Sequence, residues 1–312
     1  MTRIGIAGAG AWGLALAHAA KRAGSTPVIW SRRGPSQGVD FAIGGGSMLL
    51  SDVDMLLLTM SAQDLTAVAK RLKPNLAPSV PLVICAKGIA RPGDRLLSDV
   101  LSEALPGHKI AVLSGPSFAT EVAAGLPTAI TIASHESALA ERVARALSSS
   151  SFRPYVSSDP VGVQLGGAIK NVIAIACGII TGRKAGENAR AALMTRGLAE
   201  TARLGQAMGA RIETFSGLAG LGDLSLTATS LSSRNFHLGF ALGQGKSLPE
   251  AQAEITGVIE GVATARAVVA LAARHGVEMP ISAAVAAIVE DGADIGDTIA
   301  ALLARPIKNE TA

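Results

Sequence analysis

Residues 8–13, Gly8-Ala9-Gly10-Ala11-Trp12-Gly13, follow a short apolar run at 3–7 and open a helical stretch that continues to Arg22. In that setting the first glycine permits a tight turn and the second lets the backbone approach a pyrophosphate. The third lets helix and strand pack closely, with phosphates at the helix N-terminus. The chemistry is dinucleotide binding, and Gly8, Gly10, Ala11, Trp12 and Gly13 are its expected contacts. A second apolar run at 27–30 closes a βαβ unit and ends in Ser31, Arg32 and Arg33. An NAD site usually carries an acid there for the ribose 2′-hydroxyl. A guanidinium instead pairs with a 2′-phosphate and stacks on adenine, so Arg32 and Arg33 predict NADP in preference to NAD.

Four further stretches hold polar residues in apolar or glycine-rich surroundings. They are Lys87-Gly88, residues 114–119, Lys170-Asn171 within an apolar helical run, and Gly222-Asp223 leading to Arg234-Asn235. Here the sequence resembles the NAD(P)-dependent glycerol-3-phosphate dehydrogenases of the soluble bacterial type. The matching segments are 85–89, 113–119, 166–172, 186–188 with 195–198, 220–224 and 233–235. They span most of the chain and are jointly far more specific than the glycine turn. The resemblance implies interconversion of dihydroxyacetone phosphate and sn-glycerol 3-phosphate, supplying glycerophospholipid synthesis. Two departures lie on the adenosine side. The loop at 34–50 is short and glycine-rich where the family carries further elements, and Met60 stands where a proline is usual.

Reducing a ketone with hydride builds negative charge on the carbonyl oxygen, which must then receive a proton. Lys170 is the expected donor, with its pKa lowered by apolar surroundings and neighbouring cations. Asp223 is expected to orient it rather than activate it. Lys87, just past a strand end, is expected to donate to the substrate oxygen, and by resemblance also touches the cofactor. Arg234, with Ser233 and Asn235, suits the substrate phosphate, and by resemblance Arg234 also meets the pyrophosphate. Asn171 and Thr227 are expected hydrogen-bond partners of the substrate, and Gly115 and Ser117 are expected to line its pocket. The resemblance further implies that Ala119, Val258 and Glu260 approach the cofactor.

These residues need elements to hold them. Further apolar strands read at 55–59, 81–86, 110–113 and 129–134, alternating with helical segments at 64–72, 95–105 and 136–147. The alternation predicts an α/β N-terminal domain with a Rossmann-type doubly wound sheet, residues 1–157. Beyond Asp159-Pro160, a helix-start signal, strand patterns stop, predicting an all-α C-terminal domain, residues 158–312. A chain of 312 residues is long enough for two cores. The site should then lie between the domains.

Composition narrows the alternatives. Mean hydropathy is +0.39 and 49% of residues are hydrophobic, yet the longest strongly apolar runs, 172–180 and 279–289, fall short of a membrane span. No export signal opens the chain, so a cytoplasmic location is expected. A net charge of +4 with only 3% aromatics and no basic runs argues against nucleic acid. Cys85 and Cys177 read as buried thiols, and the five histidines show no metal-ligand spacing, so no metal is expected. A homodimer is usual in such families. The competing readings are a dehydrogenase of the β-hydroxyacid type and a non-catalytic dinucleotide sensor. The first lacks a counterpart of the 222–235 stretch, and the second leaves Lys87, Lys170 and Asp223 unexplained. A methyltransferase using the same glycine turn fits neither the strand order nor the all-helical second half.

Overall fold

The computed structural model describes residues 1–31, 42–44 and 50–306. Arg32 and Arg33, with the cofactor preference drawn from them, lie outside the described residues. The sheet-bearing half runs β1 (Arg3–Ala7), α1 (Ala11–Arg22), β2 (Thr26–Trp30), β3 (Ala42–Gly44), β4 (Met55–Leu58), α2 (Leu65–Leu72) and β5 (Leu82–Ile84). It continues with α3 (Leu97–Ala104), β6 (Ile110–Ser114), α4 (Ala119–Ala124), β7 (Thr128–Ala133), α5 (Ser137–Leu147) and β8 (Phe152–Ser157). The helical half comprises α6 (Pro160–Gly182), α7 (Glu187–Ala207), α8 (Ile212–Ser216), α9 (Asp223–Thr227), α10 (Arg234–Gly243) and α11 (Leu248–Ala253). It ends with α12 (Glu260–Arg274), α13 (Pro280–Glu290) and α14 (Ile295–Leu303).

The strands form one eight-stranded sheet in the order β3-β2-β1-β4-β5-β6-β7-β8. All pairs are parallel except β6 with β7. Strand runs such as Leu56-Leu57-Leu58 and Leu82-Val83-Ile84 are buried on both faces, as a parallel sheet covered by helices requires. The chain leaves β1 toward β2 and β3, then returns to the other side of β1 as β4. The crevice beyond the C-terminal ends of β1 and β4 is therefore the topological switch point, where ligands bind in open α/β sheets.

Strand β8 was not among the expected elements. Ser151 O, just before the strand, and Ser157 O, at its end, accept from the β7 side, from Thr128 N and Ser134 N. Pro154, at the opposite parity, turns its missing N–H to the open edge, the one place in a sheet where proline costs no ladder bond. Half its residues are exposed, which hides the strand from an apolar pattern.

Helix α6 is the axis of the second half, and α7, α9, α10, α12 and α13 all pack on it. Asp159 caps it, accepting from Gly162 N at 2.8 Å ahead of Pro160. At 23 residues α6 is long and apolar enough to cross a bilayer, which the shorter apolar runs did not foreshadow, but its apolar window is wholly buried inside the protein. Its apolar surface is already satisfied by packing. A second buried acid serves the same half. Glu200 on α7 accepts from Ile281 N at 2.7 Å and Ser282 N at 3.3 Å, capping the first turn of α13. Burial pushes its carboxyl up to about 7, against the opposing pull of those N–H groups and Arg203.

Candidate active site

Four chain segments converge at the C-terminal edge of the sheet, against α6. Lys87 follows β5, Gly115 follows β6, Lys170 lies near the middle of α6, and Asp223 opens α9. The approach is close because α6 offers no side chain at Gly166. A Cβ there would lie 2.4 Å from Ala219 O, in the π-helical turn Leu218–Gly222 that delivers Asp223. Local π-turns of this sort recur at functional sites.

Asp223 is fully buried and holds both lysines. Lys170 Nζ donates to its Oδ1 and, at 2.8 Å, to Thr227 Oγ1. Lys87 Nζ donates to its Oδ2 at 2.6 Å and to Gly115 O at 2.9 Å. Two ammonium groups thus share one carboxylate, so one positive charge is left over in a buried place. Burial pushes Lys170 down to about 7, with Asp223 opposing the shift and Lys87 adding to it. Burial also works to raise Asp223, but Lys170 and then Lys87 outweigh it and hold the carboxyl below its ordinary range.

Around this triad the amides are already engaged. Asn171 Nδ2 donates to Lys87 O at 3.1 Å, and Asn235 Nδ2 to Asn171 Oδ1 at 2.9 Å. Asn235 Oδ1 accepts from Gly261 N at 2.9 Å. Ser233, expected at a phosphate, is buried, and its Oγ accepts from Phe236 N at 3.3 Å as the cap of α10. That bond orients the first turn of α10, from which the exposed Arg234 projects. Ser117 is half-buried, its hydroxyl on Gly115 O at 2.8 Å. Buried Ser114, which opens the 114–119 stretch but was given no role, stands 3.5 Å from Asp223 Oδ2.

The glycine turn sits at the switch point. A Cβ on Gly13 would fall 1.9 Å from Gly8 O, so α1 can begin there only with glycine. A Cβ on Gly10 would meet nothing within 4 Å. The N-terminus of α1 has no side-chain cap and no acid in its first turn, leaving its N–H groups for an outside acceptor. Trp12 Nε1 is buried with no partner, and Ala119 packs against the same cluster as Trp12. Glu260 Oε1 accepts from Ala62 N at 3.1 Å, while its buried Oε2 has no partner. Burial pushes that carboxyl up to about 6, against the pull of Ala62 N–H and Arg234. Val258 is exposed two residues before it.

Comparison with known proteins decides what this arrangement belongs to. Residues 159–300 match the family described as NAD-dependent glycerol-3-phosphate dehydrogenase C-terminus, and residues 47–140 match the corresponding N-terminus. The chain belongs to the glycerol-3-phosphate dehydrogenase family. It is 50% identical to the glycerol-3-phosphate dehydrogenase [NAD(P)+] of Parvibaculum lavamentivorans, over 99% of this chain and 98% of that one. With the enzyme of the same name from Rhodospirillum rubrum it shares 47% identity, over 98% and 93%. The crystal structure of glycerol-3-phosphate dehydrogenase from Coxiella burnetii superposes with a TM-score of 0.92 at 39% identity, covering 97% of this chain and 99% of that one. As in other glycerol-3-phosphate dehydrogenases, NAD or NADP is the cofactor. The residues present fit such a group. The uncapped start of α1 offers N–H donors to phosphate oxygens and open Gly10 leaves room for them, while Trp12 Nε1 and Glu260 Oε2 are buried polar atoms without a partner.

Proposed function

We propose that the chain reduces dihydroxyacetone phosphate to sn-glycerol 3-phosphate reversibly, with NADP preferred to NAD, and so supplies glycerophospholipid synthesis. The observation that carries this reading is the buried Lys170–Asp223–Lys87 cluster, a proton donor poised near neutrality beside a second ammonium. The dinucleotide, when bound, would supply a hydride to the carbonyl carbon, with the C=O π electrons moving to oxygen. Lys170 Nζ then breaks an N–H bond and gives that proton to the oxygen, ending neutral. In the reverse direction neutral Lys170 takes the hydroxyl proton back. Lys87 Nζ faces the developing oxyanion from the sheet edge, and Asp223 keeps both ammonium groups in place. Thr227 Oγ1, bonded to Lys170 Nζ, fixes the direction of the remaining N–H bonds.

Arg234 supplies the guanidinium for the substrate phosphate, with Asn235 beside it and Ser233 acting through the helix cap. Gly115 and Ser117 form the floor under Lys87, and Asn171 holds the main chain there. The turn at 8–13, Lys87, Ala119, Arg234, Val258 and Glu260 face the dinucleotide, and Arg32 with Arg33 selects the 2′-phosphate. We divide the chain into a dinucleotide domain at 1–157 and a substrate domain at 158–312. The site lies between them, in a cytoplasmic protein that forms a homodimer.

The decisive experiment mixes purified protein with dihydroxyacetone phosphate and either NADPH or NADH, and follows nicotinamide oxidation. Turnover with both, faster with NADPH, is expected. No turnover with either removes the reading. Arg32→Ala should lower the ratio of NADPH to NADH efficiency, and an unchanged ratio would remove the NADP preference.

A further inference from the structure

Thr59 follows β4 directly and stands at the switch point, across from the glycine turn that follows β1. Its Oγ1 lies 3.0 Å from Ala7 O and 3.1 Å from Gly8 O, and its N–H donates to Ala7 O at 3.0 Å. The fit is tight. A Cβ on Gly8, whose φ is +121°, would lie 2.7 Å from that hydroxyl oxygen, and one on Gly13 would lie 2.8 Å from it. Gly8 O is thereby wedged between the first turn of α1 and the Thr59 hydroxyl. A turn that accepts an anion must keep its carbonyl oxygens turned away while its N–H groups face the ligand.

We propose that Thr59 is a positioning residue for the dinucleotide. Its single hydroxyl proton, shared between the carbonyls of Ala7 and Gly8, holds them on the β4 side, so that the uncapped N–H groups opening α1 are left to the pyrophosphate. This rests on the dinucleotide-dependent reading above and adds to it a residue that the glycine motif does not contain. Valine would keep the shape of the side chain and leave those carbonyls without the hydroxyl donor.

The test is titration of the purified protein with NADPH, followed by calorimetry or nucleotide fluorescence without any triose phosphate. Thr59→Val and Thr59→Ala should each raise the Kd about tenfold, while Thr59→Ser stays within about twofold of the parent. In steady state the KM for NADPH should rise in step, with kcat at saturating NADPH and the KM for dihydroxyacetone phosphate unchanged. Melting midpoints identify which hydroxyl-free variant is folded, and either one suffices. Parental affinity in a folded hydroxyl-free variant overturns the assignment. So does a Thr59→Ser protein as weak as Thr59→Val, or failure of both hydroxyl-free variants to fold. If the parent binds NADPH but does not reduce dihydroxyacetone phosphate, the reaction is wrong and the Thr59 assignment stands. If the parent binds neither dinucleotide, both fall.

Discussion

Asp223 at 0% exposure and Glu200 at 2% are both buried carboxyl groups, and their surroundings push them in opposite directions. Asp223 lies between two ammonium groups and is held ionised. Glu200 receives neutral N–H donors at the start of α13, and burial raises it to about 7. Desolvation acts on both, so what separates them is the charge of the partner. The first arrangement stores a charged cluster that can hand on a proton. The second closes a helix end and has nothing beside it to react.

That contrast can be broken by exchange of function. Asp223→Asn leaves two buried ammonium groups without their anion, and turnover of dihydroxyacetone phosphate should fall by about a thousandfold. Turnover within about tenfold of the parent would place the acid–base work elsewhere. Glu200→Ala should leave kcat per folded molecule unchanged while lowering unfolding free energy by about 2 kcal/mol, read by urea titration, because two N–H groups lose their acceptor.

Smaller effects sharpen the contrast through pH. With Lys170 near 7, the rate of ketone reduction should fall about tenfold per pH unit above that value, as the ammonium proton is lost. Glycerol 3-phosphate oxidation should instead rise up to about 7 and level off. A reduction rate flat to pH 9 would remove Lys170 as donor. For Glu200 the linkage concerns stability. Its folded pKa of about 7 lies above its ordinary value of 4.5, so between those values the folded state keeps a proton that the unfolded chain releases. Stability therefore declines as pH rises through that window and is level above it. Glu200→Gln should flatten this decline, a change of about 1 kcal/mol per pH unit in urea titrations at pH 5, 6 and 7.

The parts legible in the sequence are those whose signal is local. The glycine turn must follow a strand and open a helix, and all three are contiguous. Lys170 betrays itself as an ammonium group inside an apolar helical run, and Asp159-Pro160 marks the start of that helix. Asp223 stood out in the sequence only as a polar residue in a glycine-rich stretch, because its partner Lys87 is distant in the chain and spacing says nothing of their meeting. Glu200 left no trace for the same reason. Its α13 partners lie far along the chain, and a glutamate in an amphipathic helix reads as a solvated charge. Strand β8 was missed because an edge strand with proline and half-exposed side chains carries neither alternation nor a buried run. Ser233 was read as a phosphate contact, and its Oγ also caps α10 by accepting from Phe236 N, which leaves its O–H free to donate. A serine before a helix and a serine before a phosphate look alike in sequence, and one hydroxyl can serve both.

Helix α6 carries one more implication. Helices fray from their ends, and the opening seldom passes the outer turns. Lys170 sits near the middle of 23 residues that are buried almost throughout. The backbone amides around it should be among the last in the molecule to exchange with solvent deuterium. Lys170, proposed to hand over the proton, is anchored where the chain opens least often, while Arg234, proposed to meet the substrate phosphate, presents an exposed side chain from a first turn whose Asn235 and Phe236 are buried.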